Sequence, residues 1–598
     1  MRDAEVVLGI LRDRGRRGLP VEDLYRQLFN PSLFLMAWAK LYANKGSMTP
    51  GVDGETADGM SMARIEAIIE AIRYERYQFA AVKRVWIPKK KGGRRPLGVP
   101  SWSDKLVGEV VRLLLEAYYE PQFSDRSHGF RPDRGCHTAL SEIATTWTGA
   151  TWFIEADISD CFGSIDHDVL LSILAERIND GRFIELIRRM LRAGYMEDWD
   201  WHPTISGTPQ GGVVSPILAN IYLDKLDKHV ETMLIPRYTR GINRAKNREY
   251  QETTYELGKA RQSGDQERVA GLERQRQQMP SGDPKDPEYR RLRYCRYADD
   301  QLFGFTGPKK EAEQVKREVA TFLRDVLKLE LSQAKTLVTH ARTGKARFLG
   351  YDISIGHEEK GRRGGRRKRS LNGMVLLSVP LTVIAAQAAP YLKGGKPRAQ
   401  RHLHQRSDYE IVAWYGTVYR GVVNFYKLAG NIYRLGKLRW VMETSMLKTL
   451  AGKHHMSVTA VARKHKQRVV TSDGPRVCFE AQLEREGRPP LTARFGEVQL
   501  TCNKHAVLVE PSPYPSRRIG VELVGRVAKR ICELCGRKGV RVQAHQVKGL
   551  AMLDPAGFSW QRIMAKRHRK TLMVCSDCHV LIHQHEPVTS PQLESRVP

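Results

Sequence analysis

The feature that most constrains the fold is a pair of adjacent aspartates set between two apolar runs. Residues 296–305 read RYADDQLFGF, so Asp299 and Asp300 fall where a tight turn would join two strands. A third carboxylate, Asp157, lies near the end of the strand-like run at 151–158, TWFIEADI. Two such strands lying side by side would gather all three carboxylates. A solvated Asp-Asp turn is the simpler alternative for the dipeptide alone, but Asp157 favours a shared anionic site.

Carboxylates that converge in this way repel one another unless a cation neutralises them. Mg²⁺ prefers oxygen ligands and is commonly held by carboxylates together with substrate phosphates. Two such ions about 4 Å apart can activate a hydroxyl nucleophile and stabilise a leaving pyrophosphate. The carboxylate pattern therefore predicts a nucleotidyl-transfer site that uses two Mg²⁺ ions.

The charge of the chain indicates a polyanionic partner. The 598 residues include 98 Lys and Arg against 66 Asp and Glu, a net charge of +32. Nucleic acid is the usual partner of so basic a chain, while an anionic membrane surface or solubility alone are the alternatives. The uncharged segment 370–392 contains two prolines, and we expect a buried strand followed by a helix there. No membrane partner is therefore expected.

The ordered motifs resemble those of group II intron-encoded reverse transcriptases, also called maturases. Residues 297–300, Tyr-Ala-Asp-Asp, resemble the catalytic turn of that family, and Asp157 resembles its first catalytic aspartate. The resemblance implies that Asp157, Asp299 and Asp300 are catalytic and bind the two Mg²⁺ ions. Other segments that match the family are 44–54, 87–90, 95–100, 127–132, 207–216, 332–336 and 348–350.

The resemblance also implies a binding site for deoxynucleoside triphosphates. Lys89 and Arg95 would contact the triphosphate, and Gln210 would touch the incoming nucleotide. Phe162 would exclude a ribose 2′-hydroxyl, and Lys335 belongs to the lysine motif. Taken alone, Phe162 could equally be a core residue and Lys335 a solvated surface charge.

The predicted fold class is α+β and multidomain, with right-hand polymerase fingers and palm, a helical thumb or X domain, and a small zinc-bound HNH-like ββα module. The 229–293 stretch is polar and basic and is expected to be an insertion, with an exposed charged helix over 245–279. The expected domains are an N-terminal helical extension that starts the fingers (1–85), the reverse transcriptase fingers and palm (86–355), the thumb or X domain (356–465), a DNA-binding region (466–525) and the HNH-type zinc module (526–598).

Aromatic residues recur at helical spacing among Lys and Arg over 409–450. Most of these rings are expected to be core, and a few could stack on unpaired RNA bases beside cations that contact phosphate. The family resemblance implies that this region binds the group II intron RNA in a lariat ribonucleoprotein and assists splicing. We expect residues 357–370, which hold seven Lys or Arg, to form a basic loop, and residues 466–525 to be irregular and basic.

Two C-x-x-C pairs near the end of the chain predict a tetrahedral Zn²⁺ site made by Cys532, Cys535, Cys575 and Cys578. His579 and His583 follow at i and i+4, which places them on one face of a helix. Together with His545 they could hold a second divalent cation that polarises a phosphodiester.

This module resembles the HNH endonucleases found at the end of many group II intron proteins. His545 is then a cation ligand and a candidate catalytic residue. Gln546 stands where many members carry a second histidine, and glutamine cannot take a proton from water. A zinc-stapled clamp for target DNA, without cleavage, is the alternative.

Together with the carboxylate pattern, the family resemblance implies an RNA-directed DNA polymerase that binds its intron RNA, assists splicing and nicks target DNA to prime synthesis. The expected location is the bacterial cytoplasm, with nucleoid association on target DNA. Two rival functions are an RNA-directed RNA polymerase on the same palm and a splicing cofactor that no longer polymerises. Phe162 and the Tyr-Ala-Asp-Asp turn disfavour the first rival, and the intact carboxylates disfavour the second.

Overall fold

The computed structural model describes residues 3–88, 92–197, 200–204, 206–208, 212–283, 286–357, 373–471, 474–485, 488–507, 517–554 and 556–584. The predicted helical start of the chain is confirmed. Residues 3–85, called the N-terminal region below, contain α1 (Ala4–Arg16), α2 (Leu24–Gln27), α3 (Pro31–Leu41), β1 (Met60–Ser61) and α4 (Met62–Arg73).

As far as residue 355, the described residues then form ten strands and ten α-helices. The strands are β2 (Val82–Pro88), β3 (Arg94–Val99), β4 (Trp152–Asp157), β5 (Tyr195–Glu197), β6 (Asp200–His202), β7 (Arg291–Tyr297), β8 (Asp300–Thr306), β9 (Leu337–His340), β10 (Ala346–Phe348) and β11 (Tyr351–Ile355). The helices are α5 (Trp102–Tyr119), α6 (Cys136–Thr146), α7 (Cys161–Ser164), α8 (His167–Ala175), α9 (Gly181–Arg192), α10 (Ser215–His229), α11 (Ile235–Arg237), α12 (Arg248–Gln262), α13 (Gln266–Gln278) and α14 (Lys309–Leu327).

The sheet that positions the carboxylates is antiparallel, with strand order β7-β8-β4-β9. Strands β7 and β8 form a tight hairpin in which Tyr297 pairs with Asp300. One hydrophobic cluster lies against helices α5, α10 and α14, and a second joins this sheet to the thumb. Because both faces of the sheet are covered, its strands carry apolar residues on both sides, as β8 does from Leu302 to Phe305.

The predicted single charged helix over 245–279 is wrong. Two helices, α12 and α13, fold back on each other around Gly264, which adopts φ +73°. Glycine reaches this conformation at little cost, and it reverses the chain. Arg261–Glu273 and Arg268–Glu256 ion pairs link the two helices, and α13 buries no residue.

The thumb is helical as predicted. Its elements are β12 (Val375–Ser378), α15 (Leu381–Ala388), β13 (Leu392–Lys393), β14 (Lys396–Pro397), α16 (Asp408–Phe425), α17 (Gly436–His454) and α18 (Val458–His465). The strand and helix expected within 370–392 are β12 and α15. Among the described residues, no helix combines the length and the apolar character that crossing a bilayer requires. The predicted basic loop at 357–370 lies, beyond His357, outside the described residues.

The prediction of irregular structure after residue 466 is wrong over 466–495. Three antiparallel strands occur there: β15 (Lys466–Thr471), β16 (Gly474–Arg485) and β17 (Arg488–Phe495). Phe479, Ala481, Ala493 and Phe495 are buried and belong to the same hydrophobic cluster as the thumb helices. The alternation of these apolar residues with charged residues, Glu480 and Arg494, was the available strand signal.

The C-terminal part, residues 526–584, is called the endonuclease module below. The elements here are α19 (Arg517–Ala528), which leads into the module, β18 (Gln543–Gln546), α20 (Ser559–Arg567), β19 (Thr571–Val574) and α21 (Ser576–Gln584), so the ββα arrangement is confirmed. β1 of the N-terminal region adds a third strand to the hairpin of β18 and β19. The module therefore shares a sheet with the start of the chain.

Candidate functional site

The predicted side-by-side placement of the acidic strands is confirmed. Strand β4 pairs with β8 so that Asp157 lies opposite Asp300, and Asp299 occupies the turn beside it. Burial and the neighbouring carboxylates, Asp299 first, raise the pKa of Asp300 to about 6. Burial followed by Asp157 also raises the pKa of Asp299. The three side chains thus form a partly buried anionic cluster that attracts cations.

Lys335 is brought to this cluster by the loop that follows α14. Its Nζ donates to Oδ2 of Asp157 at 2.8 Å, and the backbone N–H of Ser332 donates to the Asp157 carbonyl. The hydrogen bond to Asp157 raises the pKa of the Lys335 ammonium. Because the Lys335 side chain is 67% exposed, it can move away when another cation enters.

The turn that carries Asp299 is stabilised by a buried arginine, Arg296, which was not among the residues predicted from the sequence. Ala298 adopts φ +55°, a left-handed conformation that costs about 1 kcal/mol in a residue with a Cβ. Arg296 donates to the Ala298 carbonyl at 3.0 Å and makes two hydrogen bonds to Asp227, at 2.8 and 2.6 Å. The Arg296 and Asp227 side chains are both 0% exposed. This ion pair fixes the turn against α10.

Residues 127–132 pack against the same turn and also stabilise it. The backbone N–H of His128 donates to the Arg296 carbonyl at 2.9 Å, and Asn220 donates to the Gly129 carbonyl at 2.9 Å. A Cβ on Gly129 would lie 2.3 Å from the Ala298 nitrogen. Only glycine therefore fits at this position.

Among the predicted nucleotide-binding residues, Lys335 contacts Asp157 as described above, and Arg95 and Phe162 also lie within the described residues. Arg95 lies on exposed strand β3, near enough to Asp299 to lower its pKa against the effect of burial. The Phe162 ring on α7 is half-buried and packs edge-on to Phe130, and its carbonyl accepts from Thr208 N–H at 2.7 Å. Lys89 and Gln210 lie outside the described residues.

The aromatic residues of the thumb divide into core and surface, as predicted. Tyr415, Tyr419 and Tyr426 are buried, whereas Tyr433 and Trp440 are 64% and 57% exposed. Exposed Arg434 and Lys437 lie between these two rings at helical spacing. The result is one surface, the Tyr433–Trp440 face, that presents rings and cations together.

The four predicted zinc ligands converge, with all four Sγ atoms within 4.8 Å of one another. The measured Cys535–Cys575 Sγ distance of 3.9 Å is close to the edge of about 3.8 Å expected for a tetrahedral Zn²⁺ site with bonds of about 2.3 Å. The N–H of Arg537 and nearby thiols lower the pKa of Cys535 to about 6, which favours the thiolate that binds metal. The donor set therefore fits Zn²⁺.

The three histidines also converge, and Asp58 of the N-terminal region joins them in what we call the His–Asp cluster. The four ligand atoms, from Asp58, His545, His579 and His583, lie within 4.8 Å of one another. Burial opposes ionisation of Asp58, but contacts from His545 and His579 hold its pKa well below the usual range. Asp58 lies 487 positions before His545 and carries no local motif, so the sequence alone gives no sign of its part in the cluster.

Comparison with protein families matches three consecutive parts of the chain. Residues 87–353 match the reverse transcriptase (RNA-dependent DNA polymerase) family. Residues 372–482 match the type II intron maturase family, and residues 532–579 match the AI2M/AI1M-like HNH endonuclease family.

Individual relatives extend this similarity along the chain. The group II intron-encoded protein LtrA of Lactococcus lactis subsp. cremoris is 36% identical over 94% of this chain and 96% of its own length. A 91 kDa protein in the cob intron of Schizosaccharomyces pombe is 32% identical over 94% of this chain and 70% of its own length. Protein YkfC of Escherichia coli is 32% identical over 56% of this chain and 84% of its own length.

Proposed function

This chain belongs to the group II intron-encoded proteins with reverse transcriptase, maturase and HNH endonuclease parts, and from that premise we propose which of its residues perform each activity. The protein is an RNA-directed DNA polymerase and a maturase that also carries an endonuclease. The residue roles, the metal ions and the nucleic-acid partners below are the proposal.

Asp157, Asp299 and Asp300 are the proposed catalytic residues, and the pairing of Asp157 with Asp300 is the observation that carries this assignment. Burial, with neighbouring carboxylates next, raises the pKa values of Asp299 and Asp300, and the donors are hard oxygens, so the site fits Mg²⁺. When bound, two Mg²⁺ ions would activate the primer 3′-hydroxyl and stabilise the leaving pyrophosphate. Lys335 partly neutralises the same charge until the ions enter.

Proposed contacts with the incoming deoxynucleoside triphosphate come from the surfaces around this cluster. Arg95 offers a cation on strand β3 for the phosphates, and the proposal also includes Lys89 and Gln210, which lie outside the described residues. Phe162, whose carbonyl accepts from Thr208 N–H, carries the bulky ring that would exclude a 2′-hydroxyl.

Intron RNA is the proposed ligand of the Tyr433–Trp440 face. Its exposed rings can stack on unpaired bases at about 1–3 kcal/mol per base, while Arg434 and Lys437 contact phosphate. Binding energy at this face would favour the folded ribozyme over misfolded RNA in the lariat ribonucleoprotein. We propose the bacterial cytoplasm as the location of the protein, with nucleoid association on target DNA.

The endonuclease module is proposed to bind target DNA, with structural Zn²⁺ on the four cysteines and a divalent cation held by His545, His579 and His583. His545 is 1% exposed, and its ring packs edge-on to Trp560. Gln546 is directed away from the histidines, since its Nε2 donates to Tyr42 and Ser47. His545 is therefore the candidate catalytic residue that remains.

Replacing Asp299 tests the polymerase assignment. In primer extension on an RNA template, Asp299→Ala should lose several orders of magnitude in DNA synthesis because a metal ligand is gone. Splicing of the cognate intron should survive, since the Tyr433–Trp440 face lies on another domain. Asp168→Ala is the matched control, because Asp168 is an exposed carboxylate on α8 outside the cluster.

Three results would contradict this proposal. Loss of splicing together with DNA synthesis would show that the two surfaces are not separate. DNA synthesis retained in Asp299→Ala would remove the carboxylates from the reaction. Extension with ribonucleotides that exceeds extension with deoxynucleotides would favour an RNA polymerase.

A further inference from the structure

The endonuclease module is attached to the N-terminal region by antiparallel pairing of β1 with β18. Met60 pairs with Ala544 and Ser61 with Gln543, so β1 extends the sheet of the module. The N–H of Gly59 donates to the Ala544 carbonyl at 2.9 Å. The loop that precedes β1 is thereby placed beside the histidines.

Gln546 serves this attachment with both its side chain and its backbone. Its Nε2 donates to the Tyr42 carbonyl at 2.9 Å and to Ser47 Oγ at 2.8 Å, and its backbone N–H donates to Asp58 Oδ1 at 2.7 Å. Gln546 is 3% exposed. Because Tyr42 and Ser47 belong to the N-terminal region, the buried Gln546 side chain helps to attach the module to that region. The Gln546 backbone N–H orients the Asp58 carboxylate.

The distances within the His–Asp cluster match those of a metal site. Asp58 Oδ2 lies 2.8 Å from His583 Nε2 and 3.2 Å from His579 Nε2, and the two Nε2 atoms are 3.4 Å apart. Asp58 Oδ1 lies 3.3 Å from His545 Nδ1. A tetrahedral ion with bonds of about 2.0–2.1 Å sets its ligand atoms about 3.3 Å apart.

His545 gives an independent reason to expect a ligand. The residue is 1% exposed, yet within the described part of the chain neither of its ring nitrogens makes a hydrogen bond of good geometry. A buried polar atom without a partner costs about 1–3 kcal/mol. Coordination to a cation would satisfy the nitrogen that faces Asp58.

We propose that Asp58 is the fourth protein ligand of a Zn²⁺-class ion held by His545, His579 and His583, and that this ion links the endonuclease module to the N-terminal region. The inference rests on the cation site proposed above and adds a ligand from the other end of the chain. Three nitrogens and one carboxylate suit Zn²⁺ better than Mg²⁺. Four protein ligands close a tetrahedral site, whereas a catalytic site keeps one position open. A DNA phosphate must therefore displace Asp58 to reach the ion.

The test is Zn²⁺ titration of the full-length chain whose cysteine site is already loaded, followed by calorimetry. The wild type should bind one further equivalent. Asp58→Asn, which keeps the shape and an acceptor for the Gln546 N–H, should bind it at least about 10- to 100-fold more weakly, the loss seen when even an outer partner of a metal ligand is removed. Asp53→Asn is the matched control, because Asp53 is an exposed carboxylate in the same loop.

Hydrogen exchange of the Gly59 and Gln546 amides gives a second readout. The further equivalent of Zn²⁺ should slow both amides in the wild type and in Asp53→Asn but not in Asp58→Asn. Unchanged exchange in β7 and β8 would show that the variants are folded.

Two outcomes would overturn the inference, and they separate it from the proposed cation site. If Asp58→Asn binds the further equivalent as tightly as the wild type, while His583→Ala loses it, the histidine site stands and Asp58 is not a ligand. If the wild type binds no further equivalent, the cation site itself is wrong, and the proposed link is wrong with it.

Discussion

The buried ion pair between Asp227 and Arg296 should control polymerase activity, although neither residue reaches substrate. Asp227 accepts two hydrogen bonds from Arg296 and one from the Tyr294 hydroxyl, at 2.8 Å, and its side chain is 0% exposed. Asp227→Asn keeps the shape of the side chain but leaves the Arg296 charge without its counterion. Removing one partner of a buried pair costs about 3–5 kcal/mol.

This cost should appear locally, in the strands that carry the YADD turn (residues 297–300). The chain has several domains, so hydrogen exchange of the β7 and β8 amides is a better measure than global unfolding. At about 1.4 kcal/mol per factor of ten, their exchange should accelerate roughly 10²- to 4 × 10³-fold. Displacement of the turn by about 1 Å should lower kcat for nucleotide addition by about 10- to 100-fold.

Asp224→Asn is the matched control because Asp224 lies one turn earlier on the same helix. Burial, with Asp227 next, raises the pKa of Asp224 to about 6, so neutralising it relieves repulsion. Its contact with Lys228 is long, at 3.9 Å, and contributes little. The reasoning would be refuted if the β7 and β8 amides exchanged at the same rate in Asp227→Asn as in Asp224→Asn, and if Asp227→Asn kept kcat within about twofold of the wild type. The ion pair would then not position the turn.

Two further predictions concern the zinc site and a buried carboxyl. Cys575→Ser should lower the zinc content by one equivalent, unfold the endonuclease module locally and abolish target-strand cleavage while primer extension persists; cleavage that continues after zinc removal would contradict this. Burial raises the pKa of Asp104 from its ordinary value of 3.8 to about 6, so between these values the folded chain binds a proton that the unfolded chain has lost. The stability contribution of Asp104 is therefore full at low pH and falls by about 3 kcal/mol as the pH rises through 6. Hydrogen exchange of the α5 amides in increasing urea, compared between the wild type and Asp104→Asn at several pH values, should show the difference in local stability moving in favour of the variant as the pH rises, and a pH-independent difference would refute the prediction.

The polymerase site could be predicted from sequence because its signals are local. The alternation that ends at Asp157 defines one strand, and the YADD turn defines the tip of a hairpin. The buried ion pair that stabilises this turn could not be predicted in the same way. Asp227 lies on a helix whose apolar pattern gives no sign that Arg296 is its partner, and only the packing of α10 under the sheet joins them.

The sequence was misleading where cations obscure an alternating pattern. Strands β15 to β17 bury Phe479 and Phe495 on one face and place Arg476, Glu480 and Arg494 on the other, so their net polarity suggests irregular structure. Local periodicity also could not reveal the fold-back at Gly264, because both flanking helices are polar on most faces.

The attachment of the endonuclease module depends on more than the proposed ion. Leu523, Val527, Ala544 and Met573 are all at most 6% exposed and belong to the same hydrophobic cluster as α3 and α5 of the preceding parts. Burying a large apolar side chain contributes about 1.5–3 kcal/mol, so this contact alone outweighs the loss of one metal ligand. Asp58→Asn should therefore leave the module attached and loosen only the edge around Gly59 and Gln546. A substitution that frees the module altogether must also disrupt the apolar contact, so local amide exchange, not detachment of the module, is the structural readout that accompanies the Zn²⁺ titration of Asp58→Asn.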